Sequence, residues 1–337
     1  MPYQELAIED VPEPEPAAGQ VRIAVHCAGV SFATSLVTQG RYQRKPPLPF
    51  TPGTEVAGVV SAVGPDVAGL AVGDRVCAAL DWGGHAEAAV TDATTVYRLP
   101  DALPFDLAPQ FPLSYGTAYA ALAWRAAVRP GETVLVHGAS GAVGLAAVEL
   151  AKAMGTRVIA TAATAEKRAL AVTHGADHAV AFPSEGALEA IRALAPGGVD
   201  LVFDPVGGDA FDLSLRCVAN SGRILLIGFA GGRVQQIPAN ILLVKDVAVF
   251  GFNYGKYIGW TRVDERRQHE QTVRAAMQQM FAWFQQGRLR PMTSHRFPLR
   301  DFRQAMETVL ARRSMGKVVL EMPAARRAGP PGAKQLS

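Results

Sequence analysis

The amino-acid sequence predicts an α/β protein that combines a doubly wound parallel sheet with a second, β-rich barrel domain. A glycine-rich turn at residues 138–144 lies between an apolar strand pattern and a helix pattern. Strand and helix patterns alternate between residues 113 and 250, whereas short strands separated by glycine and proline turns fill the preceding part of the chain. The length of 337 residues fits two domains.

The first domain is predicted to be a small β barrel. Residues 21–25 alternate between apolar and other side chains, as in a strand with one buried face. Residues 56–63 and 74–80 are further predicted strands, with glycine-containing turns between them. Many short strands with such turns are typical of barrels. Residues 100–112 contain four prolines and are predicted to connect this domain to the next.

The second domain is predicted to contain repeated strand–helix units. A helix is expected at residues 113–124, before the glycine turn. The expected strands are 133–137, 157–161, 177–182, 198–204 and 223–228, and the expected helices between them are 145–154, 165–174 and 185–194. This order implies a parallel sheet with helices on both faces.

The last part of the chain has a different pattern and is predicted to return to the first domain. Amphipathic helices are expected near residues 265–286 and 299–312, followed by a strand at 317–321. The predicted division is therefore 1–112 for the first part of the barrel domain, 113–250 for the nucleotide-binding domain, 251–322 for the return, and 323–337 for a disordered tail.

The glycine turn reads Gly138-Ala-Ser-Gly-Ala-Val-Gly144 and has the order strand, turn, helix. Glycines allow the backbone to approach a pyrophosphate without a side-chain clash. The free N–H groups and the positive dipole end of the following helix then face the anion. These features together predict a dinucleotide site.

The end of the second predicted strand favours NADP over NAD. A site specific for NAD usually has an acidic residue there, which bonds the ribose 2′-hydroxyl. Residues 160–168 instead read Ala-Thr-Ala-Ala-Thr-Ala-Glu-Lys-Arg, with no carboxylate at the strand end. Thr161 and Thr164 can donate hydrogen bonds to a 2′-phosphate, and Lys167 and Arg168 follow within one helical turn. The alternative is that both cations form a solvated helix face.

The sequence predicts no metal. Zinc requires Cys, His or acidic ligands in a tetrahedral arrangement. Ser31 and Thr54 stand where zinc-containing dehydrogenases with this domain order place ligands, and three cysteines are too few for a four-cysteine lobe. His85 and Glu87 lie close together but have no third ligand at a plausible spacing.

Composition predicts a cytoplasmic protein with neither a nucleic-acid nor a membrane partner. No apolar run reaches the length of about 18 residues that spans a bilayer, and no secretory signal is visible at the N-terminus. The three cysteines have no paired spacing, as expected for reduced thiols. The net charge of +3 equals the contribution of Arg326, Arg327 and Lys334, so the rest of the chain is balanced.

Several motifs in order resemble those of a known family. They are Ala28-Gly-Val-Ser-Phe32, Gly40-Arg-Tyr42, Pro49-Phe-Thr-Pro-Gly-Thr-Glu55, Gly73-Asp-Arg75, Thr117-Ala-Tyr119, the glycine turn and Phe203-Asp-Pro-Val-Gly-Gly208. From about residue 10 to 321 the chain is similar to the zinc-free medium-chain dehydrogenases/reductases of the quinone oxidoreductase (zeta-crystallin-like) family, and above all to its quinone-oxidoreductase-like proteins.

The resemblance implies a GroES-like barrel, a Rossmann domain and an active site in the cleft between them. It implies that NADPH donates hydride to a quinone or to the activated C=C bond of an α,β-unsaturated carbonyl. It also implies a homodimer joined by the edges of the Rossmann sheets, with residues 247–250 as the edge strand. The family begins with one more strand, so we expect the true start to lie upstream of Met1.

The resemblance also assigns residues. Ser31 replaces an asparagine beside the nicotinamide, Tyr42 matches an aromatic side chain that lines the substrate cleft, and Phe182 replaces a tyrosine near the 2′-phosphate. With Tyr254, Ser31 and Tyr42 are the candidate donors to substrate. The predicted cofactor contacts are Thr117, Gly138, Ala139, Ser140, Gly141, Ala142, Val143, Gly144, Thr161, Thr164, Lys167, Gly228, Phe229, Phe252 and Arg312.

Each candidate donor has a structural alternative, and the function has alternatives too. Ser31 could only cap a turn, Tyr42 could only pack, and Tyr254 could lie at an edge. An enoyl-thioester reductase would need basic groups for a phosphorylated carrier, for which Arg41, Arg44 and Lys45 are available. A catalytically silent NADPH-binding protein is the alternative from another class.

Overall fold

The computed structural model describes residues 2–323. The predicted tail lies outside the described residues from residue 324 onward. The described strands are β1 Gln20–Val30, β2 Glu55–Val63, β3 Arg75–Ala79, β4 Ala88–Asp92, β5 Val96–Arg98, β6 Thr133–Val136, β7 Arg157–Ala162, β8 His178–Ala181, β9 Val199–Asp204, β10 Val218–Leu226, β11 Ala248–Gly251, β12 Thr293–Pro298 and β13 Lys317–Glu321.

The described α-helices are α1 Phe32–Thr38, α2 Gly116–Tyr119, α3 Ala142–Ala153, α4 Ala165–Thr173, α5 Ala187–Leu194, α6 Asp209–Cys217, α7 Ala239–Lys245, α8 Arg266–Gln285 and α9 Phe302–Leu310. Wider π-type turns continue α2 over Phe111–Tyr115 and Ala120–Arg125. No helix within residues 2–323 is both long and apolar enough to cross a membrane.

The chain forms two compact units. Within the described residues, unit 1 contains 2–112, 260–270 and 293–323, and unit 2 contains 113–259 and 271–292. The sequence-based division placed all of 251–322 with the barrel, whereas the structure has residues 251–259 and 271–292 in unit 2.

Unit 1 is built on a seven-stranded sheet with the order β12-β13-β1-β2-β3-β5, to which β4 adds by pairing with β1. Strand β1 is long and bends at two register shifts, so it pairs with β13, β2 and β4 along its length. Its alternate residues Val21, Ile23 and Val25 are completely buried. They form one core with side chains from β2, β3 and β13. Strand β1 therefore contributes both the backbone pairing and the buried side chains around which unit 1 packs.

Unit 2 contains a six-stranded parallel sheet with the order β11-β10-β9-β6-β7-β8. The chain begins in the middle at β6, runs outward to β8 and returns to β9 on the other side. This is the doubly wound order of dinucleotide-binding folds. The predicted fold class is therefore confirmed. The crossing point lies between β6 and β9, where the carboxyl ends of two neighbouring strands leave the sheet in opposite directions.

Three short helices were not predicted from the sequence. Helix α1 follows β1 directly, α6 follows the strand β9, and α7 precedes the edge strand β11. All three are only seven to nine residues long. Such short segments carry too few turns for a helical period to stand out.

Candidate functional site

The glycine turn joins the carboxyl end of β6 to the N-terminus of α3. Gly141 is the N-cap of α3 and has no side chain that could accept the first helical N–H groups. The N–H groups of Ala142, Val143 and Gly144 are therefore in the first turn, which has no intrahelical acceptors. Ala139 and Ser140 are buried within the turn. This arrangement fits a pyrophosphate at the helix N-terminus.

Two glycines of the turn are required by its geometry. Gly138 has φ +57°, a left-handed conformation that favours glycine. A Cβ atom on Gly144 would lie 2.8 Å from the carbonyl carbon of Gly138 and 3.1 Å from Cα of Ala139, and still closer to the Gly138 oxygen. Those neighbours are backbone atoms, which cannot move aside as a flexible side chain can. The helix and the turn therefore touch backbone to backbone at Gly144.

The loops that follow β9 and β10 are bonded to each other beside the glycine turn. The main-chain N–H groups of Ala230 and Gly231 donate to the carbonyls of Pro205 and Val206, at 3.1 and 2.8 Å. Gly228 and the exposed Phe229 belong to the second of these loops. A Cβ atom on Gly138 would lie 3.1 Å from Cγ2 of Val206, so the first loop packs on the glycine turn.

Phe252 follows the edge strand β11, and its N–H donates to the carbonyl of Leu226 at 3.1 Å. Its ring stacks on Tyr257 with 6.2 Å between the ring centroids. Phe252 thus lies beside Leu226, the last residue of β10, which precedes Gly228 by two positions.

Thr161 does not have the placement that its predicted role requires. The side chain is buried at the end of β7, and its hydroxyl is 2.8 Å from Nδ1 of His137. Nε2 of the same imidazole is 2.9 Å from the Ser214 hydroxyl. Burial lowers the pKa of His137, which is therefore neutral and held between two hydroxyl groups. The Thr161 hydroxyl is used inside the protein and not presented to a ligand.

The turn after β7 does present polar groups. Thr164 is exposed, caps α4 and accepts a hydrogen bond from the N–H of Lys167 at 3.2 Å. The guanidinium of Arg168 folds back and donates to the carbonyl of Ala163 at 2.9 Å. Lys167 lies half-buried in the first turn of the same helix. A threonine hydroxyl and two cations therefore surround the turn where the sequence lacks a carboxylate.

Thr117 and Tyr254 lie on neighbouring segments of unit 2. A Cβ atom on Gly116 would lie 2.6 Å from the hydroxyl oxygen of Tyr254, so the phenol packs directly on the turn of helix that carries Thr117. Tyr254 is only 5% exposed and stacks on Tyr257 at 6.0 Å. The sequence suggested a donor to substrate or an edge position, whereas the structure buries this ring in an aromatic cluster.

In unit 1, Ser31 follows β1 directly and caps the short helix α1. Its hydroxyl oxygen accepts a hydrogen bond from the N–H of Thr34 at 3.3 Å and lies 3.1 Å from the Thr34 hydroxyl. When Thr34 donates in the second contact, the Ser31 proton is free to point elsewhere. Capping and hydrogen-bond donation to a ligand are therefore compatible roles for Ser31.

Tyr42 follows α1 and is half-buried, with its N–H donating to the carbonyl of Leu36 at 3.2 Å. Burial raises the pKa of its phenol, which stays protonated and able to donate. Arg312 lies in unit 1 at the end of α9, where it is exposed and has φ +55°.

Next to Thr54, one of the two positions where zinc-containing dehydrogenases place a ligand, the structure has a buried ion pair. The side chains of Glu55 and Lys317 are 1% and 3% exposed and are in direct contact. Nε2 of His85 bonds the carbonyl of Gly29 at 3.1 Å, while Glu87 is exposed. Residues 2–323 contain no group of three or more His, Cys, Asp or Glu side chains that could hold a metal ion.

Comparison with known proteins places the chain in a family. The profile described as an alcohol dehydrogenase GroES-like domain matches residues 17–101, and the profile described as a zinc-binding dehydrogenase matches residues 142–272. The chain is 40% identical over 322 residues to mouse quinone oxidoreductase-like protein 2, covering 95% of this chain and 89% of the mouse protein. The chain belongs to the quinone oxidoreductase family of medium-chain dehydrogenases/reductases. The resemblance inferred from sequence motifs is thereby confirmed.

Two further relatives of this family member agree with the assignment. Human quinone oxidoreductase is 33% identical over 314 residues, covering 92% of both chains. The crystal structure of Escherichia coli quinone oxidoreductase complexed with NADPH superposes with a TM-score of 0.84 at 28% identity, covering 93% of this chain and 94% of the other.

Asp204 is a residue of this quinone oxidoreductase family member that the sequence reasoning passed over. It ends β9, is completely buried, and its Oδ1 accepts hydrogen bonds from the N–H groups of Val206 and Gly207 at 2.8 and 2.9 Å. Its other oxygen has no hydrogen-bond partner among residues 2–323. Asp204 thus shapes the loop that packs on Gly138. The signal was present, because an aspartate before Pro-Val-Gly is a typical side-chain-bonded turn.

Proposed function

We propose that this protein is an NADPH-dependent reductase that transfers hydride, without a metal, to a quinone or to the activated C=C bond of an α,β-unsaturated carbonyl. The observation that carries the proposal is the glycine turn, whose uncapped helix and backbone contact at Gly144 leave room for a pyrophosphate. The names of the mouse and human relatives and the NADPH bound to the Escherichia coli structure support the same reading.

The preference for NADPH over NADH rests on the turn after β7. The turn offers the Thr164 hydroxyl and the cations of Lys167 and Arg168, and the end of β7 has no carboxylate that would repel a 2′-phosphate, the nearest one being that of Glu166 in the first turn of α4. Charge-assisted bonds to phosphate are the strong kind. Replacing Lys167 with Met should therefore raise the dissociation constant of NADPH by about tenfold. The constant for NADH is the internal control and should stay unchanged.

NADPH, when bound, supplies the hydride. The protein then has to hold the acceptor and stabilise the charge that develops on its oxygen. The Ser31 hydroxyl is the proposed donor, because Thr34 can satisfy its lone pair and leave its proton free. The protonated phenol of Tyr42 is the second proposed donor. A single well-placed donor of this kind contributes about 3 kcal/mol. Water supplies the proton that completes the reduction.

The enoyl-thioester alternative loses part of its support. Its carrier would need Arg41, Arg44 and Lys45, but the guanidinium of Arg44 is paired with Asp81 at 2.9 Å and lies over two indole rings. Tyr254 is also withdrawn as a proposed donor, because its ring is buried.

The proposal includes a homodimer and a cytoplasmic location. Strand β11 is the edge of the parallel sheet. The preceding helix α7 has two largely exposed apolar side chains, Leu243 and Val244, at 83% and 80% exposure. A free sheet edge beside exposed apolar side chains is a surface that a second copy would cover.

The test is an acceptor screen. Purified protein and NADPH are mixed with benzoquinones, simple enones and enoyl thioesters, and the loss of reduced-nicotinamide absorbance is followed. Turnover with a quinone or enone, reduced at least 10-fold in Ser31→Ala, is expected. Tight NADPH binding with no turnover of any acceptor would instead identify a catalytically silent NADPH-binding protein.

A further inference from the structure

The segment that carries Tyr42, residues 41–50, has almost no backbone support. We refer to it as the proline segment, because it contains Pro46, Pro47 and Pro49. Arg41 and Tyr42 donate their N–H groups to the carbonyl of Leu36. Within the described part of the chain, no main-chain hydrogen bond involves residues 43–50.

One side chain of the proline segment is inserted into the rest of unit 1. The guanidinium carbon of Arg44 lies 5.3 Å from the ring centroid of Trp82 and 5.4 Å from that of Trp260. A planar guanidinium can stack on aromatic rings and at the same time bond a carboxylate at its edge.

The edge of the same guanidinium is paired as well. Nη2 of Arg44 donates to Oδ1 of Asp81 at 2.9 Å. Asp81 is itself held by Nη2 of Arg266, at 3.1 and 3.3 Å from its two oxygens, and Arg266 is also paired with Asp264. The side chain of Arg266 is 8% exposed. The carboxylate of Asp81, which accepts from Arg44, is therefore held in place by a nearly buried cation.

We propose that Arg44 is the positioning residue of the substrate-binding part of unit 1: its side chain, held by Trp82, Trp260 and Asp81, fixes the proline segment and thereby the position of Tyr42. The inference deepens the proposed function, on which its kinetic part rests. Arg44 touches neither acceptor nor cofactor in this role and acts through Tyr42, two residues before it in the same segment.

The other cations of the segment are the natural comparison. The side chain of Lys45 is exposed and takes part in no hydrogen bond or ion pair with the described residues. Lys45→Met therefore removes a charge from the same segment without removing an anchor. Arg44→Lys keeps the charge next to Asp81 but loses the planar face, so it separates stacking from ion pairing.

The first experiment measures opening of the proline segment without any reference to activity. Chymotrypsin cleaves the Tyr42–Gln43 bond when the segment opens, and none of the substitutions changes this site. Cleavage after Tyr42, followed by mass spectrometry, should be about fivefold faster in Arg44→Met than in Lys45→Met or wild type, and intermediate in Arg44→Lys. The emission of Trp82 and Trp260 should shift toward that of exposed indole in Arg44→Met and Arg44→Lys, which both lose the planar face, and not in Lys45→Met. Equal cleavage rates in Arg44→Met and Lys45→Met would overturn the anchor.

The second experiment measures positioning. With a small uncharged quinone, Arg44→Met should raise KM for the quinone about fivefold, with kcat changed less than twofold and the NADPH dissociation constant unchanged. An unchanged KM in a variant whose segment opens faster would overturn the positioning role. If wild-type protein reduces no acceptor, the proposed function fails, while the cleavage and fluorescence measurements still decide whether Arg44 anchors the segment. A melting temperature that is unchanged from wild type in each variant shows that the effect is confined to the proline segment.

Discussion

Replacement of Gly144 by alanine is the sharpest test of the nucleotide-binding geometry. A new methyl group at this position would meet the carbonyl group of Gly138 and Cα of Ala139, at 2.8 Å from the carbonyl carbon and 3.1 Å from Cα. Real Cβ atoms do not come that close to backbone atoms, so α3 and the turn must move apart.

The expected cost combines two opposing terms. Overpacking of a rigid contact costs about 3 kcal/mol, at the upper end of the usual range, because backbone and not a side chain has to yield. Alanine inside a helix recovers about 1 kcal/mol relative to glycine. Gly144→Ala should therefore lower the free energy of unfolding by about 2 kcal/mol. Displacement of the helix N-terminus should also raise the dissociation constant of NADPH by at least about 10-fold.

The same turn offers a matched control. A Cβ atom on Gly141 would lie 3.5 Å from its nearest neighbour, the Gly138 carbonyl oxygen, which is ordinary van der Waals contact. Gly141→Ala should therefore leave the stability of the unliganded protein within about 0.5 kcal/mol of wild type. Urea unfolding of both variants, followed by circular dichroism, measures the difference. If Gly144→Ala is as stable as Gly141→Ala, the backbone contact deduced for the turn does not exist.

Three further predictions concern stability, pH and assembly. Glu149 is buried and accepts from the Tyr115 hydroxyl at 2.6 Å, the Arg290 N–H at 2.9 Å and His174 at 2.5 Å; Glu149→Gln should cost about 3 kcal/mol in urea unfolding, and the exposed Glu189→Gln close to none. Burial lowers the pKa of His85 to about 4, below 6.5 in the unfolded chain. Between these values the unfolded state binds more protons, so the free energy of unfolding is at its full value above pH 6.5 and falls by up to about 3 kcal/mol toward pH 4. His85→Gln should remove this part of the pH dependence. If the free energy of unfolding changes with pH equally in both proteins, the predicted role of His85 is wrong. Leu243→Glu on α7 should shift the protein from dimer to monomer in light scattering, whereas Val172→Glu, at an apolar position of α4 that is 47% exposed, should not.

The parts of the fold that the sequence predicted are those with a strong local period. The strands of the parallel sheet are short apolar runs, and β6, β7 and β9 lie within about two residues of their predicted bounds. Helices α3 and α4 were equally visible, because Gly155 and Gly175 follow them and Thr164 caps α4. The same local chemistry located the glycine turn, since positive φ and close backbone approach select glycine directly.

Individual side-chain roles were less predictable. Thr161 and Thr164 are equally polar in sequence, but one faces into unit 2 and bonds His137 while the other caps α4 in solvent. The position of each side chain, inside unit 2 or in solvent, depends on where β7 ends, because side chains alternate between the two faces of the strand and the capping residue follows it. Tyr254 similarly had a plausible hydroxyl, but only packing against Gly116 revealed that its ring is buried.

The sequence alone therefore predicted a dinucleotide site at Gly138, Gly141 and Gly144, and two of these glycines have a local physical reason: the positive φ of Gly138 and the close backbone approach at Gly144 both select glycine. The tertiary structure alone decided what surrounds the predicted substrate residues. The partners of Arg44 are distant in sequence, at Trp82 and Trp260, and no local pattern links them. Pairing between residues so far apart is set by how the strands of unit 1 fold together, which a reading of the sequence from one residue to the next cannot provide.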